Sequence, residues 1–139
     1  MPLSHDSFLT HLIEVIPAER IILVGIRDLT LEEFYFIKQH SIRYFSMQSM
    51  TMESMSAVCD GMMEIASQWP SSYVSISLDV LDPVFAGVEN PSFGGLSTRE
   101  LLYFIQRLRM LRNFLAADVT DFEKSPELAG KLLSELAVR

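Results

Sequence analysis

Apolar residues recur along this chain in two periods, one of about 3.6 residues and one continuous over short runs. Phe8, Leu9, Leu12, Ile13 and Ile16 form one stripe at helical spacing, with Ser4 placed to cap it and Pro17 to end it. Arg20 to Gly25 is a short apolar run of the kind that sheets covered on both faces contain. Thr30 and Glu33 then make a capping box for a helix reaching about His40. Ile42 to Met47 reads as a second strand, and Thr51 to Trp69 as a helix stopped by Pro70. In the next run, Tyr73, Val74, Ile76, Leu78 and Val80 give a third strand, a buried one. Ser97 and Glu100 form another capping box, and Leu101, Leu102, Ile105 and Leu108 line that helix's core face. Asn113 to Val119 is a fourth strand. Ser125 caps a last helix with Pro126 in its first position and Leu128, Leu132, Leu133 and Leu136 on its buried side. Strands alternating with helices predict an α/β fold, three layers α/β/α around a parallel sheet.

The stretch from Ser72 to Leu96 is where chemistry concentrates. By the alternation of a strand, Ser75, Ser77 and Asp79 share one face, and Asp79 and Asp82 stand at the strand's C-terminal end. Ligands of open α/β sheets sit beyond the carboxyl ends of strands. Convergent oxygen groups there suit a hard or borderline metal. The competing reading is that Asp79 and Asp82 only shape the turn before Pro83.

Composition narrows the classes. With 139 residues, 49% of them hydrophobic and 21% charged, the chain can bury a core, and residues 1–139 fit one domain or a fragment of a larger one. A formal net charge of −7 speaks against nucleic acid or an anionic membrane as partner. The single Cys59 excludes an internal disulfide and a cysteine zinc cage, and reads as a buried thiol. No signal peptide and no membrane-length apolar run is expected, so the expected location is cytoplasmic. The methionines from Met47 to Met63 read as irregular core or interface packing, with a thioether metal site as the rival. His11 and His40 fall in predicted helices without a second ligand at useful spacing, and read as surface or satisfied residues.

Ser75, Asp79, Asp82 and Pro83, then Ala86, Gly87 and Pro91, then Gly94, Gly95, Leu96 and Ser97 together resemble the signature of the ureohydrolases, the arginase and agmatinase family. That signature runs S-x-D-x-D-x-x-D-P, A-P-G-x-x-x-P and G-G-L-[ST]. Val24 to Arg27 is similar to the family's strand ending in G-I-R, Asp118 to Asp121 to its late D-[IV]-x-E, and Ser4-His5 with Phe8-Leu9 to its S-H-G segment. The resemblance covers nearly all of the chain and about half of the arginase-like fold, its C-terminal half.

The resemblance implies a hydrolase of guanidino or amidino C–N bonds that uses two manganese ions to activate water. It makes Asp79 a metal ligand and puts Ser77 where a second ligating aspartate belongs, a degenerate position. His5 then matches a proton-shuttling histidine, and Asp121 an acidic residue that holds the guanidinium, one methylene shorter. Asp82 matches a signature aspartate that supports the ligands from behind or serves the structure alone, orienting the loop, and Gly87 and Asn90 are implied as substrate-loop residues. An early histidine and a D-x-H-x-D cluster find no match here, and the loop lacks a proline and one residue between Ala86 and Gly87. The expectation is a protein inactive or incomplete as a lone chain and carrying no tightly held metal. Either a second chain supplies the N-terminal ligands, or the chain is a non-catalytic interaction or regulatory subunit. A truncated gene product is the third reading. Apolar surface left by half a fold predicts homo-oligomerisation or such a second chain.

Overall fold

The computed structural model describes residues 5–84, 93–121 and 125–137, with side chains from residue 9 onward. Four parallel-paired strands alternate with six helices: α1 (His5–Val15), β1 (Ile22–Ile26), α2 (Leu31–Gln39), β2 (Arg43–Ser46), α3 (Met47–Met52), α4 (Met55–Ala66), β3 (Ser72–Ser77), α5 (Thr98–Leu108), β4 (Phe114–Thr120) and α6 (Pro126–Ala137). Both capping boxes form. Glu33 N–H donates to Thr30 Oγ1 and Thr30 N–H to Glu33 Oε1, each at 3.1 Å. Glu100 N–H donates to Ser97 Oγ at 3.1 Å and Ser97 N–H to Glu100 Oε1 at 2.8 Å. Each box satisfies amides that the first helical turn leaves without partners.

The expected parallel pairing is present, but the strands hydrogen-bond as two pairs, β1 with β2 and β3 with β4. Between the pairs, β1 meets the turn after β3 through side chains and one close approach. At Gly25, φ is +83° and a Cβ would lie 2.5 Å from Val80 Cγ2, so the strand can come this near only without a side chain.

β1 is indeed covered on both faces. Ile22 and Val24 pack against the main core, while Leu23 and Ile26 pack against a smaller cluster built on Ile21, Ile37 and Ile42. The main core joins α4, the turn after β3, α5 and α6 through Val58, Cys59, Leu78, Ile105 and Leu132, all essentially inaccessible. Cys59 is therefore a packed thiol, and burial pushes its pKa up. Met50 and Met62 are buried and Met47, Met55 and Met63 pack against them, so these methionines are core; Met52 stays exposed. Asn113 ties α4 to the start of β4 by donating from Nδ2 to the carbonyls of Ala66 and Trp69, both at 2.8 Å.

Several expected boundaries move. The helix read over Thr51 to Trp69 is two helices, because Ser46 caps α3 through Ser49 N–H and Ser54 caps α4 through Ala57 N–H. Each serine hydroxyl offers the backbone a helix start where apolar periodicity shows none. Met47 belongs to α3 and not to the second strand, and Arg20 lies in a 3-10 turn before β1. β3 stops at Ser77, and Leu78 to Val80 turn into a 3-10 helix. Tyr73 is exposed rather than buried, and Leu133 is half-exposed on α6. Among the described residues no helix is long and apolar enough to cross a membrane.

Candidate active site

The change of conformation at Ser77 decides the geometry of the site. Ser77 Oγ accepts from Asp79 N–H at 3.2 Å, which opens the 3-10 turn and takes Asp79 off the strand. The expectation that Ser75, Ser77 and Asp79 share one strand face therefore fails at Asp79, because alternation ends where the extended backbone ends. The same hydroxyl donates to Asp121 Oδ2 at 2.8 Å. Asp121 follows the last residue of β4 with φ of +59°, a left-handed conformation that aspartate tolerates. Parallel pairing of β3 with β4, Ser77 opposite Thr120, brings both residues to the same C-terminal strand ends. Ser77, Asp79 and Asp121 are thus neighbours, half-buried, in the crevice position expected of a site.

Two register pairs toward the start of the strands, the same face carries a second carboxylate. Ser75, directly opposite Asp118 in the register, donates from Oγ to Asp118 Oδ1 at 2.7 Å, and Tyr73 OH donates to Asp118 Oδ2. The hydrogen bond to Asp118 holds the Tyr73 phenol above its usual pKa, because ionisation would cost that bond. The face is a ladder in which hydroxyls of β3 donate to carboxylates in β4 and just after it. Sequence reading did not reach this ladder, because it depends on register; polar residues at alternate β3 positions were the visible trace.

Asp82 accepts from backbone amides on both sides of residues 85–92. Its Oδ1 accepts from Val84 N–H at 3.2 Å and its Oδ2 from Gly94 N–H at 3.0 Å. The amide of Val84, then those of Gly94 and Gly95 and the nearby Arg27 guanidinium, hold this carboxyl below the usual aspartate range against a smaller desolvation effect. A depressed folded-state value means the anchoring contributes above the unfolded pKa of about 3.9 and is lost as pH falls through the lower folded value. The Gly94 amide shift of wild type is expected to titrate below about pH 4, following Asp82, and to stay flat in Asp82→Asn. A wild-type shift unchanged down to the acid limit of folding would contradict this anchoring.

Arg27 was legible only as part of a motif, and the structure gives it a task. From the residue after β1, its Nη2 donates to the carbonyls of Asp79 at 3.0 Å and Leu81 at 3.1 Å, and Nη1 to that of Val80 at 3.4 Å. One planar guanidinium thus gathers three carbonyls that a 3-10 turn leaves pointing outward. Leu96 N–H donates to Val80 O and Asp82 N–H to Leu96 O, both at 2.9 Å, which closes the segment before α5 onto the turn. His5 is the first residue of α1, and its side chain lies outside the described residues. Gly87 and Asn90 also lie outside them. His40 is satisfied: its Nδ1–H donates to Phe36 O at 3.0 Å.

As to metal, Asp121 offers a carboxylate beside the neutral Ser77 hydroxyl, which Asp79 meets through its backbone N–H. Among the described residues no three His, Cys, Asp or Glu side chains converge on one point. Those residues alone do not fit a pair of divalent ions, whose charge would stay uncompensated.

A sequence profile described as the arginase family matches residues 1–139. The mitochondrial arginase 1 of Oryza sativa subsp. indica is 30% identical over 150 residues, covering 98% of this chain and 41% of that protein. An arginase of Staphylococcus aureus (strain MRSA252) is 32% identical over 110 residues, covering 77% of this chain and 36% of that protein. Among solved structures, the arginase of Bacillus caldovelox superposes with a TM-score of 0.79 at 26% identity, covering 89% of this chain and 44% of the other. Proclavaminate amidino hydrolase of Streptomyces clavuligerus gives 0.79 at 26% identity, covering 95% and 47%. The chain thus spans less than half the length of these relatives.

Proposed function

The chain belongs to the arginase family, and from that premise we propose that it supplies the C-terminal part of a site for hydrolysing a guanidino or amidino C–N bond, incomplete as a lone chain. What carries this reading is the meeting of Ser77, Asp79 and Asp121 at the strand ends without a third metal-binding side chain among the described residues. Asp121 is the group for the substrate cation. An ionised carboxylate has about four lone-pair positions, and the Ser77 hydroxyl fills one, so room remains for a guanidinium N–H. Asp79 matches the family pattern's metal-ligating aspartate, and His5 its proton-carrying histidine. Asp82 and Arg27 fix the turn beneath them, with Gly87 and Asn90 in the substrate loop. Residues 1–139 form a single partial domain on this reading. Manganese, if bound, would supply an activated water, and the remaining ligands would come from a second chain. We place the protein in the cytoplasm, although the rice relative's name assigns that protein to mitochondria.

A second reading, a non-catalytic interaction or regulatory subunit, is favoured by the Ser77–Asp121 hydrogen bond itself. A neutral hydroxyl there gives the carboxylate a hydrogen-bond partner without any metal. Native mass spectrometry of the protein captured from its own cells separates the two. A co-purifying chain that brings manganese and releases urea or a related product from guanidino compounds is the expected result. A metal-free assembly without hydrolytic activity would establish the second reading.

A further inference from the structure

We propose that the outer face of α2 is a self-association surface, on which α2 of a second copy of this chain packs antiparallel. The helix is apolar on two sides. Its inner side carries Ile37, 2% exposed, and Phe36, both in the smaller core cluster. Its outer side carries Leu31, Phe34 and Tyr35, which are 67%, 39% and 61% exposed. Spacings of three and four residues put these three on one line, with Lys38 next along it. Single exposed apolar residues are ordinary, but three contiguous ones on a nine-residue helix form a patch.

Charge selects the occupant. Glu33 is engaged in the capping box, which leaves Glu32 exposed beside the stripe at the N-terminal end. At the C-terminal end, the Lys38 ammonium lies 5.5 Å from the Phe34 ring centre and 5.4 Å from that of Tyr44. Among the described residues neither Glu32 nor Lys38 has an ion pair. A two-fold axis near Phe34 and Tyr35 would set Glu32 of each copy toward Lys38 of the other, twice over. Parallel packing would oppose like charges and like helix dipoles. The stripe is therefore complementary to itself, inverted. None of these residues belongs to the candidate active site, so this inference stands whichever reading of that site holds.

A single helix stripe is smaller than the roughly 800 Å² per partner of a standard interface, so the dimer is expected to be weak. Analytical ultracentrifugation over a concentration series reads it, with circular dichroism checking that each variant folds. Wild type should show a monomer–dimer equilibrium. Lys38→Glu and Glu32→Lys alone should each weaken it about tenfold, because two attractive pairs become repulsive. The double variant should return to within about threefold of wild type. Loss of the Lys38 contact with the aromatic rings is not repaired by that swap, so rescue reports the contact between copies. Tyr35→Glu, a substitution at an exposed position, should abolish dimerisation. A wild type monomeric throughout, or a dimer indifferent to Tyr35→Glu, would overturn the proposal; so would a double variant no better than the singles.

Discussion

Gly95→Ala is expected to lower stability by about 3 kcal/mol, the upper part of the range for forcing extra atoms into packed structure. A Cβ at Gly95 would stand 2.6 Å from Asp82 N and from Leu81 C, and 2.8 Å from Arg27 Nη2. Two of these atoms are backbone and cannot rotate away. The third belongs to the guanidinium that holds the carbonyls of Asp79, Val80 and Leu81. Relief by displacement would therefore break the Arg27 bonds or the Leu96–Val80 and Asp82–Leu96 bonds. Gly94 is the internal control. Its φ is +82°, but a Cβ there meets nothing within 4 Å, so Gly94→Ala should cost only the left-handed penalty of about 1–2 kcal/mol. Urea denaturation of both variants tests the order. If Gly95→Ala proves no worse than Gly94→Ala, the close packing of this segment against the turn is wrong.

Ser77→Asp should have the second large effect, and its sign should depend on metal. In wild type the hydroxyl donates to Asp121 at 2.8 Å. Aspartate at position 77 loses that donor and sets a second carboxylate against the first in a half-buried place. Hydrogen bonds to charged groups contribute about 1.5–3 kcal/mol, so a loss of about 2 kcal/mol is expected without divalent ions. The same change supplies the carboxylate that the family pattern has at this position, next to Asp79 and Asp121. Manganese should therefore raise the melting temperature of Ser77→Asp in a concentration-dependent way and leave wild type nearly unmoved. Equal responses of the two proteins would show that position 77 does not govern metal affinity.

Much of this architecture is legible from the residues alone, for reasons that can be stated. Thr30 with Glu33 and Ser97 with Glu100 announce helix starts, because a capping box is local chemistry within four residues. Continuous apolar runs announce strands held between layers, as β1 is. The errors fall where a local serine cap overrides the apolar pattern. Ser54 starts a new helix inside one apolar period, and Ser77 ends β3 by capping Asp79, though Leu78 and Val80 continue the strand's apolar alternation. Motif residues around the turn could be placed in order but not in space. That Ser77 touches Asp121 follows from the β3–β4 register, and that Arg27 spans three carbonyls follows from how β1 meets the turn. Neither register nor approach is written in residue spacing.

Manganese titration of the purified chain, read by isothermal calorimetry with elemental analysis after dialysis, tests the central claim most directly. Incompleteness as a lone chain predicts no tight binding, residual metal well below one ion per chain, and no urea from guanidino compounds. Two tightly held manganese ions per chain would contradict it.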